Sequence, residues 1–201
     1  MEMNPLNLPE LTFDEGPHIY RLDGVEIPSV TSLMEPLSRS EYAKIDAHTL
    51  ERAAKRGTSV HFAIENWLKF GIDDSEPEFH GYMDAFLDWY EKFKPEIIGS
   101  EVRVYHKLFR YAGTIDILAK IGGKVTLIDT KTTSRLIEKN CRVQTEGYAQ
   151  ACSSHGFVIE DKHILLLNAK GQWKYPQYPA KDAEAWRVMT SLKTIYDFQK
   201  S

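Results

Sequence analysis

The sequence predicts an α/β (α+β) domain, a central mixed β-sheet flanked by helices on both faces. Three observations carry that prediction. Tyr82, Phe86, Trp89 and Phe93 recur at helical spacing. Between Glu101 and Thr133 the apolar period changes to two. The run His163 to Ala169 (HILLLNA) reads as a short apolar strand buried on both faces. At 201 residues the chain holds one real core and little room for a second. A single domain over 1–201 is expected, with an N-terminal β-ribbon and helical extension over about residues 1–56.

The elements follow in order. His18 to Leu22 and Val25 to Ile27 alternate around Asp23-Gly24, a dipeptide suited to a tight hairpin turn. After Pro28, Ser29 is placed to cap a short helix. Glu41 to Lys69 reads as helical, interrupted or kinked around Gly57, with Val60, Ile64, Trp67 and Leu68 on one stripe. Glu78 to Lys94 is a core-facing helix closed by Pro95. Val102, Val104, Ile115, Ile117, Leu127 and Ile128 are strand residues. Arg142 to His155 returns to helix. Asp182 to Gln199 is the last helix, with Trp186, Met189, Leu192 and Tyr196 facing inward.

Composition narrows the function classes. The 25 Lys+Arg against 29 Asp+Glu give a formal net charge of −4. Such a chain is no generic polyanion binder, so contact with nucleic acid must come from a local basic surface or from bound cations. No apolar run approaches the roughly 18 residues of a membrane span, and Met1 to Leu11 lacks the features of a signal peptide. A cytoplasmic location without membrane contact is expected. Cys141 and Cys152, the two cysteines, are too few for a four-cysteine zinc or iron–sulfur site and are expected as reduced, buried side chains.

The informative segment runs from Gly113 to Lys131. With Gly122-Gly123 at the centre of a hairpin turn, Asp116 falls directly opposite Asp129, and Lys131 points the same way. The other face then carries Ile115, Ile117, Ala119, Thr126, Ile128 and Thr130, a set suited to a core. Two carboxylates about 5 Å apart repel by about 3 kcal/mol at an effective dielectric near 20. Lys131 offsets part of that, and a hard divalent cation offsets more. The plain alternative is a charged cluster at a sheet edge, or a slipped register.

Asp129-Thr130-Lys131 after a hydrophobic strand, with Asp116 upstream in a Gly-Thr-Ile-Asp context, resembles the PD-(D/E)XK nuclease superfamily. Gly57-Thr-Ser-Val-His61 is similar to the helical Gly-x-x-x-His motif of its RecB-type branch, and Gln144-Thr-Glu-Gly-Tyr148 to its Gln-x-x-x-Tyr helix. Tyr20 to Thr31 is similar to the entry region of phage and mitochondrial-genome-maintenance exonucleases. Each pattern alone is weak, but their order and their placement on suitable elements strengthen the resemblance.

The resemblance implies a restriction-endonuclease-like core and an Mg²⁺- or Mn²⁺-dependent deoxyribonuclease without an iron–sulfur cluster. It further implies an exonuclease of phage or bacterial DNA recombination, repair or replication, located in the bacterial or phage-infected cytoplasm. Its partners would be DNA and a recombinase or single-strand-binding protein. Asp116, Asp129, His61 and the carbonyl of Thr130 would hold the metal. Lys131 would orient or deprotonate the attacking water. Gln144 and Tyr148, four apart on one helix face, would reach a phosphate or steady Lys131. Glu65, one turn after His61, is a candidate partner for its imidazole, against the plain reading of an exposed helix glutamate; Glu101 is equally ambiguous. Arg56, Thr132, Arg135 and Arg142 are candidate DNA contacts, although helical Lys/Arg runs are commonly just solvated faces.

Two other functions compete. A catalytically inactive nuclease-fold module would bind nucleic acid or protein. A zinc hydrolase on His61 and Glu65 is poorly supported, because no second histidine sits at ligand spacing.

Overall fold

Asp23 and Gly24 take φ angles of 52° and 79°, and Gly122 and Gly123 take 58° and 82°. Two consecutive left-handed residues are what a two-residue hairpin turn requires, so these dipeptides set the registers of two antiparallel ribbons. The structure, a computed structural model, describes residues 5–42 and 45–200. Residues 1–4 and 201 of the expected domain, and Ala43 and Lys44 of the expected helix from Glu41, lie outside the described residues.

The first ribbon has three strands where the sequence predicts two: β1 (Leu11–Asp14), β2 (Ile19–Leu22) and β3 (Val25–Ile27). Tyr20, Leu22 and Ile27 bury against Tyr105 and Ala112, which seats the ribbon on the main sheet. Ser29 caps the short helix α1 (Val30–Leu33) by accepting the Ser32 N–H at 2.9 Å, and α2 (Glu35–Tyr42) follows. The long helix α3 (Ala47–Phe70) starts later than the sequence suggests. Asp46 caps it, accepting the Thr49 N–H at 2.9 Å, and it passes Gly57 without interruption. One glycine costs a helix about 1 kcal/mol, too little to break one that is anchored by buried Val60, Ala63 and Ile64. Helix α4 (His80–Phe93) ends before Pro95 as expected.

The main sheet contains β4 (Glu96–Tyr105), β5 (Ala112–Ile121), β6 (Lys124–Lys131), β7 (Asp161–Leu167), β8 (Trp173–Lys174) and β9 (Gln177–Tyr178). Its order is β4-β5-β6-β7-β8, with β9 also pairing β7. The β4–β5–β6 part is antiparallel. Helix α5 (Glu138–Ser154) carries the chain from β6 to β7, which pair in parallel, so the sheet is mixed. Helices cover both faces. On one, α5 and α6 (Ala183–Lys200) bring Tyr148, Ala151 and Met189 onto Leu118 and Leu127. On the other, Val60, Ile64, Phe86 and Trp89 of α3 and α4 pack on Ile117, Ile128 and Leu165.

The hairpin register agrees with the sequence: Ile121 pairs Lys124 and Ile117 pairs Ile128. One expectation about its faces does not hold. Ile115 packs with Leu118 and Leu127 on the α5 side, whereas Ile117 packs with Ile128 on the α3/α4 side, so strand alternation breaks at Asp116. Across from it on β4, Glu101 takes a positive φ of 52°. The β4–β5 pairing runs from Ser100↔Ile117 to Val102↔Ile115 and omits the rung between them. The pairing is thus interrupted at Glu101 and Asp116, apart from the register shift between Ile97 and Gly99 earlier in the same ladder.

Both cysteines are buried free thiols, as expected. Lys162 of β7 is fully buried and pairs with Glu146 of α5, which also accepts from Gln150. Among the described residues no helix is long and apolar enough to cross a membrane.

Candidate metal centre

The buried stripe of α3 turns His61 toward the ends of β5 and β6. Its Nε2 lies 3.0 Å from the carbonyl oxygen of Thr130, and its Nδ1 lies 3.5 Å from Oδ2 of Asp116. A neutral imidazole that donates from Nε2 presents a lone pair at Nδ1, so two electron-rich atoms face each other. Only a proton or a cation relieves that contact. Asp116 Oδ2 also accepts the Thr130 N–H at 2.6 Å, which fixes the carboxylate where the β5–β6 pairing ends.

Glu101 completes the group. One ligand atom each from His61, Glu101 and Asp116 lies within 4.8 Å of the others. Burial, then the charges of Asp116 and Glu65, push the Glu101 carboxyl up to about 9. Burial raises Asp116 as well; the nearby His61 opposes the rise and Asp129 adds to it. Acids this close and this buried hold their charge poorly without a cation between them.

Asp129 is occupied differently. It is 2% exposed. Its Oδ1 accepts the Gln144 amide at 2.8 Å, and Oδ2 forms an ion pair with the Lys131 ammonium at 2.7 Å. Burial alone would lower Lys131, but the charges of Asp129 and Asp116 outweigh it and raise its pKa, so the ammonium stays protonated. Lys131 therefore suits holding and orienting a water or phosphate oxygen better than removing a proton.

The structure brings His61, Asp116, Asp129, Thr130, Lys131 and Gln144 together, and it corrects several roles. Tyr148 is buried, and its hydroxyl accepts from Gln144 Nε2 at 3.2 Å; the pair steadies Asp129 rather than reaching outward to a phosphate or to Lys131. The ring fits only because residue 113 is glycine: a Cβ there would stand 2.5 Å from a Tyr148 ring carbon. Glu65 pairs with Lys69, and the imidazole takes its partners from Thr130 and Asp116 instead. Arg142 is not a free DNA contact. It lies about 200° around the helix from Gln144 and forks onto Asp182 at 2.7 and 2.9 Å and Glu184 at 2.8 Å. Arg56 and Thr132 are near the site but joined to each other, Nε to Oγ1, at 3.4 Å. Arg135 lines the cleft beside Lys131. Glu101 is the residue that sequence reasoning underused. The signal was a glutamate immediately before the alternating strand run Val102-Arg-Val-Tyr.

The donor set is one imidazole, carboxylates and a main-chain carbonyl. Such oxygen-rich sites suit Mg²⁺ or Mn²⁺, and a single histidine without thiolates is a poor zinc site.

No protein-family model and no curated protein matches the chain. Among solved structures it is similar to that of SSO0001, with 15% identity and a TM-score of 0.45, covering 84% of this chain and 75% of that one. A likeness this loose decides neither the fold family nor an activity.

Proposed function

We propose that the chain is a divalent-metal-dependent nuclease of the PD-(D/E)XK type, with a restriction-endonuclease-like core, that hydrolyses phosphodiester bonds of DNA. The observation that carries this reading is the convergence of His61, Glu101 and Asp116 within 4.8 Å, beside the Asp129–Lys131 pair and the Thr130 carbonyl. His61, Glu101, Asp116 and the Thr130 carbonyl would hold Mg²⁺ or Mn²⁺, with Asp129 next to them. Once bound, the ion would lower the pKa of a coordinated water and withdraw charge from the phosphate. Lys131, kept charged, orients the incoming water and balances negative charge on the phosphoryl oxygens. Gln144 keeps Asp129 in one orientation so that Lys131 is aimed rather than mobile.

In its cellular setting the reading extends to an exonuclease of phage or bacterial recombination, repair or replication, working with a recombinase or single-strand-binding protein. That extension rests on the motif resemblance. In the test, purified protein is given end-labelled DNA with Mg²⁺ or Mn²⁺ and with EDTA. Cleavage that needs the ion and is lost in both Asp116→Asn and Lys131→Ala supports the proposal. Folded protein that binds DNA but never cuts it assigns the chain to the inactive binding module instead.

A further inference from the structure

The N-terminal ribbon meets the main sheet beside the gap in the β4–β5 pairing. Phe13 and Tyr20 face each other as one rung of the ribbon, their rings 4.5 Å apart. Arg103 and Thr114 face each other as one rung of the main sheet. The two rungs touch at both ends. The Arg103 guanidinium lies over the Phe13 ring at 5.1 Å, and the Tyr20 hydroxyl shares a 2.7 Å hydrogen bond with Thr114 Oγ1. Glu15, two residues past Phe13, adds an ion pair to Arg103 at 3.4 Å.

Glu101 stands two residues before Arg103, and Asp116 two residues after Thr114. Between the gripped rung and these acids lies only the rung Val102↔Ile115, whose side chains turn to the α5 face. Alternation therefore sends Arg103 and Thr114 to the opposite face, where α3 and α4 pack and from which α3 brings His61. Tyr20 is 2% exposed. Burial pushes its phenol up to about 12; Thr114 opposes the rise, and the charges of Glu101 and Asp116 add to it. The hydroxyl thus keeps its proton and serves as a fixed hydrogen-bonding group within the field of both acids.

No rung joins Glu101 to Asp116, so the ladder itself does not set the spacing of two groups that repel when charged. We infer that the Phe13–Tyr20 rung is a positioning clamp: by gripping Arg103 and Thr114 it holds β4 and β5 at the separation that keeps Glu101 and Asp116 within reach of one cation. This inference rests on the metal centre of the nuclease reading and deepens it. The ribbon becomes part of the ion site without touching the ion.

The experiment measures Mn²⁺ binding to the full chain, without substrate, from the loss of the free ion's EPR signal, with Asp116→Asn as the background. Thermal unfolding confirms that each variant folds. Tyr20→Phe removes the hydroxyl alone and is expected to weaken Mn²⁺ binding about tenfold. Thr114→Val should do the same, Thr114→Ser should keep the wild-type affinity, and Tyr20→Phe with Thr114→Val should lose no more than either single change. Tyr105→Phe is the control. Its hydroxyl also ties the ribbon region to the sheet, donating to Glu10 at 2.6 Å, but on the side of the gripped rung away from the acids. Its loss should leave the affinity unchanged. Wild-type affinity in folded Tyr20→Phe or Thr114→Val, a tenfold loss in Tyr105→Phe or Thr114→Ser, or full additivity in the double variant overturns the inference and leaves the metal centre standing. Wild-type protein that takes up no Mn²⁺ above the background overturns the metal-centre reading, and the inference with it.

Discussion

Glu101 stands across from Asp116 at the rung that the β4–β5 pairing omits, with its own backbone at a φ of 52°. A non-glycine residue held there costs about 1–3 kcal/mol. The two carboxyls add further strain, since burial raises the pKa of both, with the charge of Asp116 adding to the rise at Glu101 and that of Asp129 to the rise at Asp116. The surrounding sheet holds this arrangement in place, and a bound cation would relieve it.

Removing one of those acids should therefore separate stability from function. Glu101→Gln is expected to raise the melting temperature of metal-free protein by a few degrees, about 1 kcal/mol. It should also abolish most of the stabilisation that Mn²⁺ gives the wild type. Differential scanning calorimetry with and without Mn²⁺ checks both signs. A variant less stable than wild type in EDTA would show that Glu101 supports the fold rather than an ion.

Gln144 and Tyr148 should behave as a graded series. Gln144→Leu frees Asp129 and is expected to lower DNA cleavage by about 10–100-fold. Tyr148→Phe removes only the hydroxyl that accepts from Gln144 and should cost only a few-fold. Single-turnover rates at saturating Mn²⁺ measure the order. Equal losses in the two variants would place the tyrosine hydroxyl on the substrate after all.

Arg142 and Arg56 should part ways. Arg142→Ala leaves Asp182, buried where it caps the start of α6, without its fork, and should destabilise by about 1–3 kcal/mol in urea unfolding. It should leave oligonucleotide affinity unchanged. Arg56→Ala should weaken that affinity and flatten its salt dependence, since its guanidinium lines the cleft.

A pH effect is expected far from the metal centre. Burial, with His155 adding to it, lowers His106 to about 4, and its Nδ1 accepts the Leu108 and Phe109 N–H groups at 3.2 Å. The unfolded chain binds this proton near pH 6.5 and the folded chain only near 4. Between those values the unfolded state carries more protons, so stability falls as pH drops through the window, by about 1 kcal/mol after solvent screening. His106→Asn keeps an acceptor and should flatten that slope in melting curves taken from pH 7 to pH 4.5.

The sequence alone determined the elements whose signals are local. Tight-turn dipeptides placed both hairpins, aromatic periodicity placed α4, and the β5–β6 register as far as Ile117 opposite Ile128 followed from Gly122-Gly123. The tertiary structure decided what depends on packing between distant segments. Glu101 joined His61 and Asp116 because alternation fails at one unpaired rung, and no period in a sequence records such a break. Arg142 turned to Asp182 and Asp129 to Gln144 because a charge takes the partner that burial offers it. That partner comes from another part of the chain, and only the assembled core brings it within reach.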